Sequence, residues 1–358
     1  MRKIGVLSGG GDCPGTNAVI ASIVKHGTRL GYEIYGFERG LEGMLGGMSY
    51  CRLGVNEVKG ISWLGGTILK TTNRGRFSSK VGKHETIAID PEILQEAKDN
   101  LDSIGIEGLI VIGGDGTLAS AQQLTAYGVN IVGVPKTIDN DLGYTDATFG
   151  FSSAVDVAVD ALDKIHTTAT SHERTFIVEC MGRSSGWITL LAGLAGGANA
   201  ILLPEFDFSV DELIDFIRRR RRNDNRSTVI AIAEGAKVNG EHHYEHAESG
   251  EVQYMGAAEQ LMRVINDKVG EELDVRHAVL GHTQRGTNPN PTDRILSKRY
   301  GIAAIEVYDR GKFGQMVCVV NGDMKTVPIE KATEHVKRVT RETNEYYTAK
   351  QLGIFLDS

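Results

Sequence analysis

The chain has 358 residues, 41% hydrophobic and 24% charged, enough for one large or two ordinary domains with full cores and no stabilising cross-links. A formal net charge of -7 repels polyanions, so a nucleic-acid partner is not expected; the one basic patch is Arg218 to Arg222. The four cysteines, Cys13, Cys51, Cys180 and Cys318, show no CxxC or metal-ligand spacing and read as free thiols of a reducing compartment.

The opening MRKIGVLSGGGD has too short an apolar stretch for a signal peptide, and no later segment approaches the roughly 18 apolar residues of a membrane span. A cytoplasmic location without membrane contact is expected. Near-continuous Val, Ile and Leu runs predict strands at 3–7, 33–37, 108–112, 130–134, 175–179, 200–203, 228–233, 277–280 and 316–320, as in parallel sheets covered on both faces. Amphipathic stretches predict helices at 119–125, 152–167, 211–221, 257–272, 292–309 and 331–351. Ser209 reads as the N-cap of the helix that ends in the arginine run, whose cations suit its carboxyl end. His242-His243-Tyr244-Glu245-His246, between glycines, reads as a surface hairpin tip. The fold class expected is α/β: two interleaved Rossmann-like lobes with mostly parallel sheets covered by helices, and the active site in the cleft between them at strand carboxyl ends.

Three strand-to-helix loops carry chemistry. Ser8 to Asn17 contains Gly9, Gly10 and Gly11, which let backbone N–H groups approach an anion at a helix start, with a tight turn as the alternative. In Ile112 to Ala119, Gly114-x-Gly116-x-x-Ala119 satisfies the dinucleotide fingerprint, but Asp115 would repel a bare pyrophosphate. The ribose-binding acid of that motif is also missing, because Val134 leads into Pro135 and Lys136. Magnesium between Asp115 and a nucleotide polyphosphate fits better. In Pro135 to Asp141, Thr137, Asp139 and Asp141 place two carboxylates and a hydroxyl where an attacking alcohol could be oriented and deprotonated, although such acids also serve as turn residues.

GGGDCPGTN, GGDGT, PKTIDND, SHERTFIVECMGR, IAEGA and RHAVLGHTQRG, in this order from residue 3 to about 320, closely resemble the phosphofructokinase family. The resemblance implies a glycolytic phosphotransferase that moves a phosphoryl group from ATP-Mg to the 1-hydroxyl of fructose 6-phosphate. It implies a mainly nucleotide-binding lobe at 1–142, a mainly sugar-phosphate lobe at 143–289, and a segment 290–358 packing back on the first. Gly10, Arg74, Gly114, Gly116 and Thr117 fall on the nucleotide side, with Asp115 holding Mg2+. Asp139 resembles the catalytic base, with Thr137, Asp141 and Arg183 positioning the reactants. Met181, Gly182, Arg183, Glu234, His282 and Arg285 fall at the sugar phosphate, beside Thr137 and Asp139. Arg174 and Arg276 would reach in from a neighbouring subunit, which implies a homo-oligomer, dimer or tetramer. Short bacterial members carry an arginine pair on the first helix for a phosphorylated effector; Asn17 to Lys25 has none, so no effector site of that type is implied.

The donor signature is mixed. Pyrophosphate-dependent relatives typically carry aspartate where this chain has Gly116 and lysine where it has Lys136. Gly116 leaves room for an α-phosphate and its nucleoside, whereas Lys136 is compatible with either donor. ATP is the expected donor. A pyrophosphate-dependent enzyme, with sedoheptulose 7-phosphate as a further acceptor, and a non-catalytic nucleotide-binding regulator are the alternatives.

Overall fold

The computed structural model describes residues 2–72, 75–77, 88–241, 244–246, 252–254 and 256–357. In chain order the strands are β1 (Arg2–Ser8), β2 (Tyr32–Phe37), β3 (Tyr50–Leu53), β4 (Ile106–Gly113), β5 (Asn130–Pro135), β6 (Thr175–Cys180) and β7 (Ala200–Leu202). There follow β8 (Thr228–Ala233), β9 (Tyr244–His246), β10 (Val252–Tyr254), β11 (Val275–Val279), β12 (Gln315–Val320) and β13 (Asp323–Pro328). The helices are α1 (Thr16–Arg29), α2 (Pro91–Ser103), α3 (Asp115–Gln123), α4 (Phe151–His172) and α5 (Trp187–Ala195). The remainder are α6 (Val210–Arg222), α7 (Ala257–Val269), α8 (Pro291–Asp309), α9 (Ile329–Glu334) and α10 (Asn344–Gln351).

One compact unit comprises Met1–Ile138, Leu142–Ser153 and Arg285–Val336. Its sheet runs β13-β12-β5-β4-β1-β2-β3, with parallel pairing throughout the interior and antiparallel pairing only at the two edges. Leu7, Leu109, Val111 and Ile131 are all fully buried, which is why these strands read as apolar runs. Sequence neighbours diverge on either side of the β1/β4 pair: β2 lies beyond β1, and β5 beyond β4. At such a switch point the loops leaving the strand carboxyl ends part and open a crevice.

The other unit comprises Asp139–Asp141, Ala154–Gln284 and Lys337–Ser358. Its sheet β11-β6-β8-β7 is wholly parallel. Leu213 and Ile217 of α6 and Leu261 and Ile265 of α7 bury one stripe each in a core with Ile177, Ile230 and Ile232. Ser209 caps α6 as expected, accepting from the Glu212 N–H at 3.3 Å. Tyr244–His246 pairs antiparallel with Val252–Tyr254. His242 and His243 of the expected hairpin tip lie outside the described residues.

Two expectations are corrected. The single helix expected at 331–351 is two short ones, α9 and α10, separated by a stretch that is extended at His335 and Thr343. The cause is packing: Ile329 and Ala332 belong to the first unit's core, whereas Val339, Tyr346 and Ala349 are buried with Leu190, Ile201 and Ala231 of the second. For the same reason the segment 290–358 does not pack as a whole on the first unit; its last part, Lys337–Ser358, belongs to the second. Tyr346, 1% exposed and 4.9 Å from Phe206 between ring centres, anchors that tail. Tyr346→Ala should lower the unfolding free energy by about 3 to 5 kcal/mol, as large aromatic truncations in cores do. Denaturant titration checks this, and a change within 0.5 kcal/mol, about that of a surface substitution, would show that the tail is not part of the core.

Candidate active site

In the first unit the three loops singled out in the sequence leave adjacent parallel strands, β1, β4 and β5. The Gly9 N–H donates to the Ile112 carbonyl at 3.0 Å, and the Lys136 N–H to that of Gly113 at 2.9 Å, so the loops are stitched together at their roots. Their close approach requires glycine. A Cβ at Gly9 would stand 2.6 Å from Thr117 Cγ2, and one at Gly113 would stand 2.5 Å from Thr117 Cβ. At Gly11 it would strike the Arg285 guanidinium. Gly116 is the exception: a Cβ there meets nothing within 4 Å, so the space beside it is open. α3 starts at exposed Asp115, followed by half-buried Gly116 and Thr117 in a first turn where unpaired N–H groups and the helix dipole favour an anion.

Lys136 is 4% exposed, and its Nζ donates to the carbonyls of Gly9, at 2.7 Å, and Gly11. Burial, reinforced by the charge of Arg285 and opposed by Cys13 and Asp12, brings its pKa down to about 8. The Cys13 thiol is buried beneath, donating to the Phe149 carbonyl at 3.0 Å, and desolvation pushes its pKa far up. Arg285, expected within the 143–289 lobe, packs instead in the first unit against Gly11. Thr137 is half-buried, its carbonyl accepting from the Thr148 hydroxyl at 2.7 Å. Arg74 lies outside the described residues.

In the second unit Asp139–Asp141 forms a turn centred on buried Asn140, with the Asp139 carbonyl accepting from the Ser185 hydroxyl at 3.3 Å. β6 and β8 are parallel neighbours, so the loops carrying Met181 to Arg183 and Glu234 emerge at the same edge. Gly235 N–H donates to the Gly182 carbonyl at 3.1 Å and Glu234 N–H to that of Cys180 at 2.9 Å. Met181 and Gly182 are buried and Arg183 is exposed. Burial and, after it, the negative charge of Asp139 push the Glu234 pKa up to about 7, while Arg183 and the Gly182 backbone pull against them. Glu234 therefore senses both Asp139 and Arg183. Arg174 and Arg276 share one partner, Asp274, at 2.6 Å from Arg174 Nε and 3.0 Å from Arg276 Nη2, beside the edge strand β11. His282 is exposed in a single turn at Gly281–Gln284. Ser185, Glu205 and Lys337, which brace these loops, belong to no recognisable motif.

The Phosphofructokinase family profile matches residues 3–308. An ATP-dependent 6-phosphofructokinase from Chloroflexus aurantiacus is 44% identical over 99% of this chain and 97% of its own. A pyrophosphate–fructose 6-phosphate 1-phosphotransferase from Streptomyces coelicolor is 43% identical over 99% of each. A phosphofructokinase structure from Saccharomyces cerevisiae aligns with 99% of this chain at a TM-score of 0.79 and 28% identity, this chain spanning 47% of that longer one.

The raised Glu234 pKa has a stability consequence with a definite sign. The folded state holds this proton more tightly than the unfolded chain, so the contribution is complete below about 4.5 and is lost as pH rises through about 7. Glu234→Gln should remove that part of the pH dependence. Unfolding titrations at pH 5 and pH 8 test it, and the same stability difference in both proteins would contradict the assignment.

Proposed function

This chain belongs to the phosphofructokinase family, and from that premise we propose that its phosphoryl donor is ATP-Mg and its acceptor the 1-hydroxyl of fructose 6-phosphate. The observation that carries the choice of donor is the open space at Gly116 in the first turn of α3. A side chain there would extend into the region where a nucleotide places its α-phosphate, and pyrophosphate has no group to put there.

In the reaction the acceptor oxygen bonds to the γ-phosphorus, the bond to the β,γ-bridging oxygen breaks, and the hydroxyl proton passes to Asp139. Thr137 and Asp141 orient the reactants, while Arg74 and the loop N–H groups from Gly10 and Gly114 to Thr117 hold the donor. Among the described residues no group of three or more His, Cys, Asp or Glu could hold a metal by itself. The exposed Asp115 suits Mg2+, a cation that takes one or two carboxylates and completes its shell with phosphate oxygens and water. When bound, the ion neutralises charge that develops on the transferring phosphoryl group. Arg183, Arg285 and His282 supply the positive end of the sugar-phosphate site, with Met181 and Gly182 shaping it and ionised Glu234 accepting from sugar hydroxyls. Arg174 and Arg276, held side by side by Asp274 at a sheet edge, suit a 6-phosphate bound by a second copy of this chain, in a dimer or tetramer. The setting is cytoplasmic glycolysis.

Lys136 and the pyrophosphate-using relative favour a second reading, in which pyrophosphate is the donor and acceptors extend to sedoheptulose 7-phosphate. Gly116→Asp separates the two. Like charges about 4 Å apart repel by about 4 kcal/mol at an effective dielectric near 20, so ATP turnover should fall by roughly a thousandfold while any pyrophosphate activity persists. Unchanged ATP kinetics in the folded variant would show that Gly116 does not border the nucleotide.

A further inference from the structure

The turn that carries Asp139 belongs to no strand or helix, and its middle residue, Asn140, has φ of 52°. Asparagine tolerates this left-handed conformation better than most residues, and such a conformation persists only where its surroundings over-determine it. The surroundings here come from the tail. The Lys337 backbone N–H donates to the Asp141 carbonyl at 2.7 Å, and its Nζ donates to Asn140 Oδ1 at 3.1 Å.

Lys337 is held from both sides. Its carbonyl accepts from Trp187 Nε1 at 3.0 Å, and its ammonium lies 5.6 Å from the centre of the Trp187 ring. Two residues on, Val339 is 2% exposed, and its N–H donates to Glu205 Oε1 at 3.0 Å. The same oxygen accepts from the Gly186 N–H at 2.9 Å, which joins the tail to the loop whose Ser185 hydroxyl bonds the Asp139 carbonyl. The turn is thus gripped at Asp139, Asn140 and Asp141 by a closed set of contacts within one unit.

We propose that Lys337 is a positioning residue for phosphoryl transfer, its ammonium fixing the Asn140 turn and thereby the direction of the Asp139 carboxylate, with Glu205 anchoring the strap. The proposal rests on the reading of Asp139 as the general base. Lys337 acts through the turn, so its loss lowers turnover more than substrate affinity. A base moved by a fraction of an ångström to 1 Å costs up to about a hundredfold in rate.

Lys337→Met keeps the backbone N–H and the aliphatic stem over Trp187 while removing the ammonium. It should lower kcat by about tenfold and leave KM for fructose 6-phosphate within about twofold, and Lys337→Arg should recover part of the loss. Asp139→Asn should lower kcat by at least about a hundredfold, and adding Lys337→Met to it should cost nothing more, because the base through which the lysine acts is already gone. Near-normal turnover of Asp139→Asn would sink the base reading and this proposal with it. An inactive Asp139→Asn beside a Lys337→Met with wild-type kcat, or losses that multiply in the double variant, would overturn the positioning role alone. If Lys337→Met is unfolded by circular dichroism, Asn140→Gly replaces it, since it removes the same acceptor and relaxes the turn. The same kcat loss supports the proposal, and wild-type kcat refutes it.

Discussion

An ammonium ion can be buried only where carbonyls or carboxylates replace its lost water. Lys136 meets that condition by reaching across from the loop after β5 to the carbonyls of Gly9 and Gly11 in the loop after β1. Its own N–H is meanwhile bound to Gly113 in the loop after β4. One residue therefore ties three loops together, and the glycines are what allow it: side chains at Gly9 or Gly113 would collide with Thr117, and one at Gly11 with Arg285. The same knot leaves Arg285 packed against Gly11. It also gives Lys136 a structural duty that holds whichever donor is used.

The donor choice turns on a small detail because large-scale similarity does not discriminate. Relatives named for ATP and for pyrophosphate stand at 44% and 43% identity over nearly the whole chain. The physical difference between the donors is one phosphate and a nucleoside, and the position proposed to border them is Gly116, the one glycine in GGDGT whose Cβ would meet nothing within 4 Å. In the second unit the chemistry is set by proximity of charges. Glu234, near 7 because of burial and the Asp139 carboxylate, is poised to change protonation close to neutrality, with Arg183 opposing that shift.

The sequence made the interior strands easy to read, because the central residues of β1, β4, β5 and β8 are buried on both faces and form apolar runs. It hid the edges. β3, only four residues long, and β13 are largely exposed and polar, as edge strands tend to be, so YCRL and DMKTVP carry no strand pattern. α2 went unpredicted although Asp90 caps it and Pro91 opens it, signals that stand out only when caps are sought before periodicity. The break between α9 and α10 has no glycine or proline to announce it, since it arises from two cores competing for one segment. The motif residues were legible because they sit in loops of unusual composition. Ser185, Glu205 and Lys337 were not, because their roles depend on contacts between residues up to 197 positions apart.

The central claim is that this fold, with Gly116 open, transfers the γ-phosphoryl group of ATP to fructose 6-phosphate. The most direct measurement is the rate of fructose 1,6-bisphosphate formation by the unaltered protein with Mg2+ and saturating fructose 6-phosphate, with ATP and pyrophosphate supplied in parallel. Turnover with ATP and a much lower kcat/KM with pyrophosphate are expected. Efficient use of pyrophosphate together with negligible use of ATP would contradict it.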